Sequence, residues 1–156
     1  MYNFRTDLAD ERTDIFKKNN NIVAENIDGI ETNVRNNGNI KITEIKVIND
    51  NGANAIGKPM GNYITIDINK LKVATDEEIE KYGNILSEEL KKLIEKHAAK
   101  QDEILVVGLG NIYVTPDSLG PKVINELDIT RHILKYMPEV LEEGTRSVSA
   151  IAPGVL

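Results

Sequence analysis

No cysteine and no tryptophan occur among the 156 residues, and aromatics make up only 4%. The missing cysteines exclude disulfides, thiolate zinc sites and a cysteine nucleophile, and they fit a reducing compartment. With so few aromatics, the core must be built from Ile, Leu and Val. No segment approaches the roughly 20 apolar residues of a membrane span, and the N-terminus M-Y-N-F-R-T-D-L-A-D-E-R has no apolar run after a basic start, so no signal peptide is read. Basic charge is also scarce. Nineteen Lys and Arg face 25 Asp and Glu, a net charge of −6, so a polyanion such as DNA is a poor direct partner. Hydrophobic residues at 40% and charged ones at 28% remain ordinary for a globular chain. The length suits one domain, or a large part of one.

Residues 1–21 are polar with isolated hydrophobes, Phe4, Leu8, Ile15 and Phe16. They read as an extended or weakly helical arm that serves as a leader or docks on the body. Asp28-Gly29 and Asn37-Gly38 are hairpin-type turn dipeptides, with β-like runs at Ile30–Arg35 and Asn39–Ile48. In the second run Ile40 and Ile42 share one parity while Ile45 and Val47 take the other, which predicts a bulge. Asp50-Asn51-Gly52 reads as a turn and Gly57–Gly61 as a loop. Tyr63–Ile68 alternates as a half-buried strand. A helix follows from about Asp76 to Lys100. Thr75 and Glu78 form its capping box, and Ile79, Tyr82, Leu86, Leu90, Leu93, Ile94 and His97 make its apolar stripe.

Glu103–Leu109 is a continuous apolar strand with both faces expected to be covered, as in a parallel sheet. Leu119, Val123, Ile124 and Leu127 suggest a short helix. Asp128–Leu134 looks β-like, Pro138–Gly144 is an acidic loop, and Ser147–Ile151 is another strand. The order predicts an α/β fold, a mixed open sheet flanked by helices with a β-rich N-terminal portion. Nothing after the Pro153-Gly154 turn closes the sheet, so the chain reads as part of a longer protein.

Chemistry concentrates in E-I-L-V-V-G-L-G-N-I-Y-V-T-P-D-S-L-G-P, residues 103–121. The Gly108-Leu109-Gly110 pair invites a dinucleotide reading, but Tyr113 stands where the third glycine belongs and no helix opens directly. The glycines are better read as letting the backbone turn at the strand end. Asp117 sits where open α/β sheets place their chemistry, beyond the carboxyl end of a strand. Local sequence makes it first of all a helix N-cap. A carboxylate there is also stabilised as the anion, which suits a base that activates water. Arg131-His132 is a weaker candidate, since no second His lies near and no His-Glu-x-x-His pattern exists. Ser118 lies in no nucleophile elbow.

At these residues the chain resembles the germination protease family, spore endopeptidases that degrade small acid-soluble spore proteins. V-V-G-L-G-N-I-Y-V-T-P-D-S-L-G-P-K-V carries the closest likeness. Arg5-Thr6-Asp7-Leu8-Ala9 with Glu11, Gly57-Lys58-Pro59, Gly61-Asn62-Tyr63, Thr130-Arg131-His132, Ser149-Ala150 and Pro153-Gly154-Val155 extend it in order. The resemblance implies an atypical aspartic protease with no cofactor and no metal, made as a zymogen in the forespore cytoplasm and spore core. One of its two functional carboxylates falls on Asp117. The other lies in a segment beyond residue 156. The processing point falls between Asp7 and Leu8, which makes residues 1–7 a propeptide-like leader and 8–156 the N-terminal part of one α/β protease domain. The family also implies a fold similar to hydrogenase-maturation proteases and a homo-oligomer, a tetramer. Ile112 stands where the family often has an aromatic, and the leader is short. Two other readings fit the same residues. One is a hydrogenase-type maturation protease that senses nickel through Asp117 with other carboxylates or His132. The other is a non-catalytic assembly domain in which Asp117 only caps a helix.

Overall fold

The computed structural model describes residues 6–22 and 27–154. Phe4, Arg5 and Val155, singled out above, lie outside the described residues. The chain divides into two compact units, Met1–Glu89 and Leu90–Leu156. Among the described residues no helix is long and apolar enough to cross a membrane. The expected α/β class holds, with small open sheets flanked by helices.

The first unit opens on α1, Ala9–Asn19. The expected arm is thus a formed helix that docks on the body. Asp10 and Glu11 occupy its first turn and Lys17 and Lys18 its last, the arrangement that complements a helix dipole. Ala9 and Thr13, one helical turn apart, are both 3% exposed. The Thr13 hydroxyl donates to the Ala9 carbonyl at 2.8 Å, so a polar side chain can be buried at little cost.

Three antiparallel strands follow in the order β1 (Ile30–Asn37), β2 (Ile40–Val47) and β3 (Gly61–Ile68). Pairing runs unbroken from Ile30 opposite Val47 to Asn37 opposite Ile40, and from Ile40 opposite Ile68 to Val47 opposite Gly61. The expected bulge is absent. The change of parity in β2 has a different cause: two cores, one on each face of the central strand. Ile40 and Ile42 pack with Tyr82 and Ile85. Ile45 and Val47, on the opposite face, pack with Ala9, Ile27, Ile30 and Ile56.

Between β2 and β3 the expected turn at Asp50-Asn51-Gly52 is instead the start of a short helix, α2, Asp50–Ile56. Asn49 caps it by accepting the Gly52 amide at 3.0 Å. Such a cap contributes about 1 kcal/mol, and Ile56 anchors the far end with no exposed surface. Helix α3 runs Asp76–His97. Its capping box is formed: the Thr75 amide donates to Glu78 at 2.9 Å and the Glu78 amide to the Thr75 hydroxyl at 3.3 Å. The buried face, however, is Tyr82, Ile85 and Glu89. Of the expected stripe, Ile79, Leu86 and Leu90 are about half exposed. Glu89 is buried because Arg35 on β1 reaches it with both terminal guanidinium nitrogens, at 3.1 and 2.8 Å.

In the second unit β4, Ile104–Val107, pairs in parallel with β5, Val148–Ile151. The expectation that both faces of β4 would be covered is not met among the described residues, since Leu105 and Val107 are 62% and 48% exposed. Helix α4 spans Leu119–Asn125. The segment expected as a strand at Asp128–Leu134 becomes α5, Arg131–Tyr136. Its β-like character survives at Thr130, whose amide donates to the Val148 carbonyl at 3.2 Å and whose hydroxyl accepts the Val148 amide at 2.9 Å. The chain therefore pairs with the start of β5 for one residue and then coils.

Candidate active site around Asp117

The site begins where β4 ends. The Gly108 amide still donates to the Ile151 carbonyl at 2.9 Å, after which the chain must leave the sheet and return as a helix within a few residues. Glycines make this compact. A Cβ on Gly108 would strike the Gly120 carbonyl and the Ile124 side chain, and one on Gly120 would strike the Leu109 backbone. Strand end and helix start therefore touch backbone to backbone. Gly110, with φ +135, lies in a region that side chains disfavour, and a Cβ there would meet the Asp117 carbonyl. The sequence had marked Gly108 and Gly110. It gave no sign of Gly120 as their partner, because the contact joins residues twelve apart in sequence that meet only once the loop is folded.

The loop between them is held by its own backbone. Val114 N–H donates to the Asn111 carbonyl at 3.1 Å, Asp117 N–H to the Val114 carbonyl at 2.8 Å, and Tyr113 N–H to the Asn111 side chain at 3.0 Å. Thr115–Asp117 forms one 3-10 turn, with Pro116 inside it. Ser118, 3% exposed, donates its hydroxyl to the Thr115 carbonyl at 3.0 Å. This makes it a structural pin, in keeping with the absence of a nucleophile elbow.

Asp117 itself is exposed, and it is not the helix cap that local sequence favoured. Ser118 takes the N-cap position of α4. One Asp117 carboxylate oxygen instead accepts the Asn111 amide at 2.9 Å, while the same amide reaches the Asp117 carbonyl at 3.0 Å. Among the described residues no hydrogen bond or ion pair is recorded for the other carboxylate oxygen. It is free to take a water or a second carboxyl group. Against the same loop lies an open hollow of about 280 Å³, lined by Gly110, Asn111, Tyr113, Pro121, Asn125 and Ala152 among others. Tyr113, at 94% exposure, stands at its rim almost wholly in solvent.

The other candidates do not assemble. His132 is exposed on α5, and its neighbour Arg131 makes a surface ion pair with Glu103 at 3.6 Å. His97 ends α3 in solvent. No group of three or more His, Cys, Asp or Glu that could hold a metal occurs among the described residues.

Asp7 and Leu8 belong to the first unit. Leu8 is the N-cap residue of α1 and is 47% exposed. The Asp7 side chain is 98% exposed and pairs with Arg12 at 3.3 Å. Arg12 makes further bonds: Nε donates to the Thr6 carbonyl at 2.7 Å, and one terminal nitrogen to the Gly57 carbonyl at 2.7 Å and, more weakly, to that of Ile56 at 3.4 Å. Sequence reasoning missed Arg12, which looked like one more charge on a polar arm.

Comparison with known proteins assigns the class. The family model that matches is a peptidase model, described as germination protease, and it covers residues 7–156. A germination protease of Clostridium acetobutylicum is 45% identical over 160 residues, covering 100% of this chain and 47% of the relative. One from Clostridium perfringens is 42% identical over 159 residues, with the same coverage of 100% and 47%. The Bacillus subtilis germination protease is 38% identical, covering 100% of this chain and 42% of the relative. The chain belongs to the germination protease family. It spans just under half the length of these curated relatives.

Proposed function

We propose that this chain is the N-terminal part of an endopeptidase that starts the degradation of small acid-soluble spore proteins during germination. The observation that carries the reading is the Asp117 carboxylate beyond the end of a parallel strand, with one oxygen held by a loop amide and the other open. In this proposal Asp117 is one member of a carboxylate pair, and its partner comes from the segment after residue 156. Two carboxyl groups sharing one proton supply a base for water and an acid for the leaving amine. One alone supplies half of that, so the 156-residue chain by itself is inactive. Residues 1–7 are the leader of a zymogen, removed by self-cleavage between Asp7 and Leu8. The enzyme acts in the forespore and spore core, as a homo-oligomer, without cofactor or metal and without direct contact with DNA.

The test is Asp117→Asn in the full-length enzyme. Asparagine keeps an acceptor for the Asn111 amide, so stability should move by less than about 0.5 kcal/mol. Cleavage of a small acid-soluble spore protein should fall by about four orders of magnitude, the scale of losing a general acid–base group. Cleavage retained at the wild-type rate in a homogeneous preparation removes Asp117 from the mechanism.

A further inference from the structure

The bond between Asp7 and Leu8 lies where the chain enters α1, and its surroundings make it hard to cut. A protease acts on an extended stretch, and cleavage of a folded chain tracks how often that stretch opens. Here Leu8 is already the N-cap. Its carbonyl accepts the Arg12 amide at 3.1 Å, and the next residue is already buried, since Ala9 is 3% exposed in the core. On the other side, the Arg12 guanidinium holds the Thr6 carbonyl and the Asp7 carboxylate. The same guanidinium is fixed to the carbonyls of Ile56 and Gly57 at the end of α2, 44 and 45 residues away in sequence. Its side chain is only 14% exposed.

We propose that Arg12 is a clasp on the processing junction: the Asp7–Leu8 bond becomes available only when the guanidinium releases Thr6 and Asp7 and the first turn of α1 opens. Arg12 is a positioning residue. It acts on the conformation of the bond and takes no part in the chemistry. The planar fork suits the task because its separate N–H groups face acceptors both on the leader side of the junction and at the end of α2, and a lysine ammonium has no such geometry. The functional meaning of the clasp rests on the processing reading above, but the clasp can be measured without it.

The experiment treats the 156-residue chain with a protease that cuts after Asp and Glu. Intact mass follows two cuts: loss of residues 1–7, and scission after Glu142 or Glu143, which lie exposed in a loop of the second unit. Arg12→Met should speed the first cut about tenfold or more, the loss expected when hydrogen bonds to a charged donor are removed, and leave the second unchanged. Arg12→Lys, which keeps the charge and most of the stem, should show the same selectivity with a smaller rise. It also serves if the Met variant does not fold. Equal rates at the first cut in wild type and variant overturn the clasp, as does equal acceleration of both cuts, which would mean general loosening. The processing reading fails separately, if the mature full-length enzyme does not begin at Leu8.

Discussion

Gly108→Ala tests how the Asp117 loop is built. The new methyl would meet the Gly120 carbonyl oxygen and the Ile124 side chain, with the Gly120 carbonyl carbon only 2.7 Å away. Two of these three atoms are backbone, so no rotamer change relieves the clash. The strand end and the start of α4 must separate. Overpacking of this kind costs typically about 1–3 kcal/mol, and the rigid partner favours the upper part of that range. Replacing Gly by Ala returns about 0.4–1 kcal/mol through the unfolded chain. The net expectation is a loss of about 2 kcal/mol, near a thirtyfold change in the folding equilibrium. Urea unfolding followed by circular dichroism reads it as a lower midpoint at constant slope. Gly120→Ala, which strikes the Leu109 backbone, should cost a similar amount. Because one separation relieves both clashes, the double variant should lose clearly less than the sum of the two. Strict additivity, or a Gly108→Ala midpoint at or above wild type, refutes the backbone contact.

Other expectations follow from the same kind of reading. Gly83→Ala on α3 should stabilise by about 1 kcal/mol, since nothing lies within 4 Å of the added methyl and a mid-helix glycine is unfavourable; thermal melting reads this as a rise in Tm. Asn49→Ala should cost about 1 kcal/mol in the same assay, and Asn49→Asp close to nothing, because the aspartate can still accept the Gly52 amide. The Arg35–Glu89 pair should respond asymmetrically. Glu89 is 5% exposed and Arg35 is 38% exposed, so Arg35→Met, which leaves a buried carboxylate without its guanidinium, should cost about 3 kcal/mol, whereas Glu89→Gln lets Arg35 turn to water and should cost about 1–2 kcal/mol. The hydrogen bond with Glu89 raises the Arg35 pKa, against the opposing effect of burial. The stability tied to that rise is fully present below the ordinary arginine range and is lost only above it, so wild type should show no dependence on this pair across neutral pH.

Much of this fold could be read from residue order, and the exceptions have physical causes. The capping box at Thr75 and Glu78 and the turn dipeptides Asp28-Gly29 and Asn37-Gly38 act over a few residues, so they are visible locally. β4 announces itself as a short apolar run, and β5 as a short stretch of Val, Ala and Ile around Ser149. Helix α2 was hidden because its cap, Asn49, sits in a run of Asn, Asp and Gly that turns also favour. In α5 the β-branched residues around Thr130 suggested a strand, and that one residue does pair with β5 before the helix starts. The α3 stripe had the right period, but the buried face is turned from it: Tyr82 is shared, whereas Ile85 and Glu89 are not, and Glu89 is a charge paired with Arg35 that no apolar pattern reveals. At the site, the local sequence favoured Asp117 as a cap, while the resemblance placed a functional carboxylate there. The Asn111 amide that its carboxylate accepts and the Gly108–Gly120 contact form only once the loop is folded and leave no periodic trace.

The central strand β2 carries one core on each face, from different stretches of its length. An insertion or deletion of a single residue midway along it would turn one of the two stretches away from its partners, since every side chain beyond the change reverses its face. Substitutions in β2 can be absorbed one site at a time, but changes of length cannot. Length variation in this unit is therefore confined to its turns and helix ends.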